Sequence, residues 1–383
     1  MKKRPVAAAL ILLIAGLSET GSLPPDALPS LTLSFVGDIM AHTPNFTMND
    51  YDRIYQAVSR PLLSDDLSFA NLEFVVDDQR PMSSYPRFNV HSSYVEAAVR
   101  AGFDVFSLAN NHSNDYGAAG IEQTMRSIEG IFAAADRPLF ASGLRRNRNS
   151  PMRIESIHYE NWHIGFLSVS GMSNTGGNSR LYFVPSENED AVGELLHFIE
   201  TWRPLYDLFI LSWHGGVEYQ LTPAQEKVEL FHALMEAGVD ILWGHHPHVL
   251  QPLEFSFRND MRRGIIMYSL GNFISSQPTT LGPNDWDTIR AYTGDSAIVQ
   301  LSIRMTETGV SIADVDLLPI THLQHFAEPA FTEGQGFETH FSGMAAQAAS
   351  LPWKEFYYRR AETMRKLTPS FLSPYEGIDA LAP

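Results

Sequence analysis

Gly244-His245-His246-Pro247-His248 places three imidazoles within five residues, directly after the apolar run Val239-Asp240-Ile241-Leu242-Trp243. Such a run reads as a buried strand. Histidines in the loop at its end point outward, where neutral ring nitrogens can share a metal ion. Other apolar runs stop in residues of the same kind. Asp38 closes Leu33-Ser34-Phe35-Val36-Gly37, and His214 closes Leu208-Phe209-Ile210-Leu211-Ser212-Trp213. Asn110-Asn111-His112 closes Val105-Phe106-Ser107-Leu108-Ala109.

Each of these positions has a plainer reading when taken alone. Asp38 after a strand also suits a helix cap or a turn. His112 suits a ring bonded to backbone within an asparagine-rich turn. His214 precedes Gly215-Gly216, which relieves crowding beside an imidazole, yet a lone histidine there is also a structural residue. Asn71-Leu72-Glu73 follows Leu67-Ser68-Phe69-Ala70, and alternation would turn Asn71 and Glu73 to the same side. The histidine cluster is the hardest to read as structural. On an extended segment stiffened by Pro247, His246 and His248 present two rings together. Asp38, Asn71, Glu73, Asn111, His214, His246 and His248 then form a mixed nitrogen and oxygen set. That set suits zinc, manganese or iron; calcium would take more oxygen, and with no cysteine in the chain a thiolate metal is excluded. An ion so held lowers the pKa of bound water and polarises a substrate oxygen. The sequence contains no Gly-x-x-x-x-Gly-Lys-Ser/Thr loop, no His-Glu-x-x-His and no Gly-x-Ser-x-Gly elbow.

The elements that must position these residues alternate along the chain. From Leu31 onward short apolar runs alternate with helical patterns, which predicts an α/β domain. Helices are expected over 50–62, 94–101, 118–129 and 223–236; in the last, Thr222 offers a cap, Pro223 suits the first turn and Gly238 ends it. Residues 152–158 and 163–168 read as a strand pair, 264–269 as a strand, and 296–305 with 310–317 as a late hairpin. Segments 337–349 and 352–366 read as helices of a C-terminal extension, giving a domain over 31–320 and an extension over 321–383.

The 383 residues are 44% hydrophobic and 19% charged, enough to bury a large core. Against 44 acidic residues stand 27 lysines and arginines, a net charge of −17, which excludes a nucleic-acid footprint. The same field repels polyanions unless a metal or a local basic patch overcomes it. Arg145, Arg146 and Arg148 offer such a patch, although a run of this kind is also an ordinary solvated loop. Lys2-Lys3-Arg4 precedes an uncharged run from Val6 to Leu17, the form of a secretory signal or an uncleaved anchor over about 1–25. The expectation is an exported protein, periplasmic or at the cell surface.

Taken in order, six motifs resemble the CapA family of capsule and poly-γ-glutamate synthesis proteins. They are Gly37-Asp38-Ile39-Met40, Asn71-Leu72-Glu73, Asn111-His112 with Asp115-Tyr116-Gly117, His214-Gly215-Gly216 with Glu218-Tyr219, His246-Pro247-His248-Val249-Leu250-Gln251, and Ser269-Leu270-Gly271-Asn272-Phe273. The resemblance implies kinship with calcineurin-type metallophosphoesterases, hence a four-layer αββα sandwich of two sheets flanked by helices. Those enzymes bind two metals through Asp-x-His, Gly-Asp, Gly-Asn-His-Asp/Glu, a lone His and Gly-His-x-His. Carried over, Asp38 stands at the first Asp, Met40 where the first His would be, and Glu73 or Asn71 at the bridging Asp. Asn111 and His112 stand at the Asn-His step, His214 at the lone His, and His246 with His248 at the close. The loss at Met40 implies one ion, or two weakly held.

The resemblance further implies a hydrolase in which His214, His246 and His248 hold the ion, His112 donates a proton, and Asp115, Glu218 and His245 orient the histidines. The substrate class is a phosphoester or a γ-glutamyl amide of an anionic polymer, and the partners are capsule-synthesis membrane proteins. Two other readings stand beside it. One is a non-catalytic accessory protein whose pocket binds polymer; the other is a secreted phosphodiesterase unrelated to capsule.

Overall fold

The apolar runs form strands, and the strands collect into two sheets. The structure, a computed structural model, describes residues 29–176, 180–257, 263–306, 309–325 and 336–371. In the first sheet Ser30–Ile39, Leu67–Leu72, Val105–Ser107 and Phe140–Ser142 run parallel. Asp295–Thr306, Gly309–His325 and Gly336–Phe341 extend it antiparallel, and Asn272–Ile274 pairs beside the end of Ser30–Ile39, eight strands in all. In the second, Trp162–Ser170, Leu208–His214, Ile241–His245 and Arg263–Met267 run parallel. Glu155–Tyr159 and Leu253–Phe257 close its two edges, making six strands.

Burial on both faces explains why the central strands are apolar almost throughout. In Leu208–His214 the side chains divide with a period of two. Leu208 and Ile210 join one core with Phe35, Phe69 and Trp243, whereas Phe209, Leu211 and Trp213 join another with Leu195, Phe231 and Leu234. The first core lies between the sheets, where the rings of Phe35 and Phe69 stack at 4.6 Å and Phe166 meets Phe69 at 5.6 Å. The second lies under the helices Glu189–Trp202 and Gln225–Glu236. A third packs the helices Ser92–Ala101 and Gly117–Ala134 on the outer face of the first sheet, through Val95, Ala98 and Ile128. The order helix, sheet, sheet, helix is the expected αββα sandwich. Its interior turns polar toward the carboxyl ends of the strands, where Ser107 bonds Ser168 at 2.7 Å and Ser212 at 2.9 Å across the two sheets.

Several element boundaries differ from those expected. A single helix over 50–62 does not form. Asp50 caps a short turn, Tyr51–Ile54, and a separate helix, Ser59–Ser64, carries Pro61 in its first turn, where the missing N–H costs nothing. The helix expected from Pro223 begins at Gln225 without a side-chain cap, and Gly238, at φ 122°, ends it as read. Residues 337–349 begin as strand: Gly336–Phe341 pairs with His322 and its neighbours, and only Ser342–Ala348 is helical. The division at 320 therefore falls inside the Gly309–His325 strand, and the C-terminal extension is sheet as well as helix. The N-terminal signal or anchor lies outside the described residues, among which no helix is long and apolar enough to cross a membrane.

Candidate metal centre

Parallel strands deliver their carboxyl ends to one edge of each sheet, and the two edges meet. From the first sheet Asp38 stands in register with Asn71 on one side and Asn272 on the other. From the second, His214 stands in register with His245. The strands approach so closely that a Cβ on Gly37 would lie 2.1 Å from the Gly271 carbonyl oxygen, and one on Gly244 2.2 Å from that of Tyr268. Beyond His245 the chain does not stay extended. His246 and His248 take left-handed φ values of 94° and 58°, costly for residues with a Cβ. The expected alternation on an extended segment is thus replaced by two left-handed bends around Pro247, which still bring the two rings to 5.6 Å.

Asp38 is fully buried and heavily bonded. Asn71 Nδ2 donates to its Oδ1 at 2.9 Å, the His245 Nδ1 lies 2.8 Å from the same oxygen, and the His246 N–H donates to Oδ2 at 3.3 Å. Burial would raise its carboxyl pKa, but His245 and His248 outweigh that and hold it well below the usual range. Glu73 is the opposite case. Neither of its buried oxygens has a hydrogen-bond partner. Burial, followed by the charge of Asp38, pushes it well above the usual carboxylate value. Both ring nitrogens of His214, Nδ1 of His246 and Nε2 of His245 are likewise buried without partners. Burial lowers all three imidazoles, that of His246 to about 3, and keeps them neutral with lone pairs free.

Unsatisfied buried polar atoms are expensive, about 1–3 kcal/mol each, so a cluster of them marks a place for something else to bond. Here the donors converge. One donor atom from each of Glu73, His214 and His246 lies within 4.8 Å of the others; so do those of Asp38, Glu73 and His248, and those of Glu218, His246 and His248. His214 Nε2 is 3.9 Å and His248 Nε2 3.8 Å from Glu73 Oε1, too long for a hydrogen bond. Two donors each roughly 2.1 Å from one ion lie at most about 4.2 Å apart, so these separations fit shared coordination. These residues form groups that could hold a metal ion.

The other expected residues take different places. Asn71 is not a free donor: with its Nδ2 on Asp38, it also accepts from Asn110 at 3.4 Å. Asn111 bonds Asn174 through Nδ2 at 3.2 Å and keeps a buried, unpartnered Oδ1. His112 has Nδ1 2.8 Å from Asp115 Oδ2, which also accepts the Phe88 N–H, and its Nε2 lies 3.3 Å from Asn174 Nδ2. Asp115 thus lies against His112, and His245 lies against Asp38 rather than another histidine. Glu218 is exposed beside His246 and His248. Met40 is buried, and only its backbone is bonded, to Ile274 and Tyr94. In the arginine patch, Arg146 pairs with Glu129 at 2.5 Å and Arg145 lies over the Tyr182 ring.

The bacterial capsule synthesis protein PGA_cap model matches residues 32–277, which include every donor named above. The chain belongs to the PGA_cap family. It is 30% identical over 301 residues to the Capsule biosynthesis protein CapA of Bacillus anthracis, covering 74% of this chain and 66% of that protein. It therefore spans just under two thirds of that relative. It is 28% identical over 328 residues to the PGA biosynthesis protein CapA of Bacillus subtilis, covering 82% and 77%. A calcineurin-like phosphoesterase of Bacillus subtilis is similar in structure, with a TM-score of 0.41 at 13% identity over 90% of this chain and all of that one.

Some PGA_cap residues at this edge carried no sequence signal. His42, half-buried, meets the Phe88 ring at 5.1 Å and accepts the Ser276 N–H at 3.3 Å. Lys227 is buried beneath the Gly216 turn, donates to the Tyr268 carbonyl at 2.9 Å and is lowered by burial to about 7. Asn174 comes from a loop without a motif. Asn272 was visible as part of a matched motif, but its contact with His248, Nδ1 to Oδ1 at 2.9 Å, needed the fold.

Proposed function

We propose that this protein serves envelope capsule or poly-γ-glutamate assembly as a metal-dependent hydrolase acting on an amide or phosphoester of an anionic polymer, alongside membrane proteins of that assembly. The names of the Bacillus relatives support the process. The chemistry rests on one observation: neutral imidazoles and a carboxylate with no partners face each other around Glu73.

Glu73, His214, His246 and His248 would hold the ion, with Asp38 fixed beside them and Glu218 at the outer side. A bound divalent metal supplies Lewis-acid polarisation of a carbonyl or phosphoryl oxygen and a more acidic bound water. The chain supplies the rest. Asn71 and His245 occupy Asp38 so that its position does not depend on the ion. Asp115 accepts at Nδ1 of His112 and fixes the ring, which leaves Nε2 as the atom that would pass a proton to a departing group. Asn174 Nδ2, 3.3 Å away, can only donate to that Nε2, so the amide must turn aside when the ring carries a proton there. The net charge of −17 makes the ion the local attraction for a polyanion.

A non-catalytic, polymer-binding reading is favoured by Asp38, whose oxygens are already taken, and by Met40 in place of a donor histidine. Elemental analysis of protein purified without chelator separates the two. About one equivalent of manganese, zinc or iron, lost in His246→Ala while the fold is kept, supports the hydrolase. No metal after all three ions are offered would favour the binding protein.

A further inference from the structure

The family-matched segment ends at residue 277, yet the hydrogen bonds that hold His248 continue into the residues after it. The Asn272 side chain is the first link. Its Nδ2 donates to the Thr293 carbonyl at 3.0 Å, to Gln277 Oε1 at 3.0 Å and to the His248 carbonyl at 3.3 Å. Three acceptors around that nitrogen fix the amide orientation, so Oδ1 must face the ring and accept from His248 Nδ1 at 2.9 Å. His248 is thereby set with its proton on Nδ1, aimed at Asn272 Oδ1 with Asp38 Oδ2 farther off at 3.4 Å, and with the Nε2 lone pair toward Glu73.

Asn272 is in turn held from two sides by later residues. The His322 ring donates from Nε2 to the Asn272 carbonyl at 2.9 Å, and the Tyr357 hydroxyl donates to the His322 carbonyl at 3.0 Å. On the other side, the Thr293 carbonyl that receives the Asn272 amide lies two residues before Asp295. Arg360 Nε bonds Asp295 at 2.8 Å, Thr321 Oγ1 bonds it at 2.9 Å, and Arg360 Nη1 reaches the Trp286 carbonyl at 2.8 Å. Tyr357 and Arg360 are three apart on one face of the helix Lys354–Phe371, so a single helix face grips both routes. Asn272, Asp295, His322, Tyr357 and Arg360 are all buried, where such bonds are strong and their loss is not repaired by water.

We infer that the strands and helix beyond the family-matched segment are a working part of the centre, with His322 and Tyr357 as positioning residues that hold Asn272 and, through it, the donor orientation of His248. The inference rests on the metal reading only for its affinity readout; the state of the His248 ring is measurable without any ion.

The test uses the full chain with Asn272→Ala, His322→Phe and Tyr357→Phe. The last removes one hydroxyl and carries the test if His322→Phe does not fold. Long-range proton–nitrogen NMR on metal-free protein reads the His248 tautomer, and calorimetry with Mn2+ and Zn2+ reads affinity. The wild type is expected to hold His248 wholly as Nδ1–H. Both phenylalanine variants, where folded by circular dichroism, are expected to show mixed tautomers and ion affinity lower by about tenfold. Combined with Asn272→Ala, neither is expected to add to the loss that Asn272→Ala causes alone. A His248 that stays wholly Nδ1–H in Tyr357→Phe, or losses that add fully, would overturn the inference. A wild type that binds neither ion would defeat the metal reading while the tautomer result still decides the positioning role.

Discussion

At the residue scale the centre divides its carboxylates by environment. Asp38 and Glu73 are both buried, but only Asp38 is supplied with hydrogen-bond donors. One is braced as an anion; the other has no donor to hold its charge. Glu73→Gln keeps the shape and removes the charge, so metal content by elemental analysis is expected to fall to background. Without an ion, a buried carboxylate only burdens the fold, so the thermal midpoint of metal-free Glu73→Gln is expected to hold or rise. A variant that keeps its metal would show that Glu73 is not a donor.

At the scale of elements, the site depends on backbones that nearly touch. Gly244 separates the Ile241–His245 strand from Tyr268, and an added methyl would stand 2.2 Å from a carbonyl oxygen that has nowhere to go. Gly244→Ala is expected to cost about 2–4 kcal/mol, read as a lower urea midpoint, and to weaken ion binding because His245 moves with its strand. The strand ends were legible because Asp38 and His214 interrupt apolar runs, a pattern that burial on both faces enforces. Other features were not. Phe337, Thr339 and Phe341 alternate with Glu338 and His340, and it is pairing with the Gly309–His325 strand that makes Gly336–Phe341 sheet. His246 and His248 stood out in the sequence as candidate donors, whereas their left-handed backbone did not, since sequence seldom marks strain at residues other than glycine. Asn272 and His322 act through partners 24 and 50 residues away, a relation no local pattern carries.

At the scale of the whole molecule, buried neutral imidazoles make the fold sensitive to acid. Burial lowers His42 to about 3 and His322 to about 4. An unfolded chain titrates both near about 6.5, so as pH falls through that value it takes up protons that the fold refuses. Stability is therefore expected to fall from pH 7.5 to pH 5.5. Glu73, raised in the fold, acts in the opposite sense, so the comparison is cleanest in Glu73→Gln. Urea midpoints at the two pH values measure it; an equal or higher midpoint in acid would contradict these neutral rings.

The Ser30–Ile39 strand pairs with Leu67–Leu72 on one side and with Asp295–Thr306 on the other, and Asp38 at its end meets a histidine 207 residues later. Contacts of such separation close late and slowly. A partly made chain can form helices and even a hairpin, but it cannot assemble this centre. Whatever occupies the site thus serves as a receipt for a finished molecule, and its uptake during refolding would time the last event of folding rather than the first.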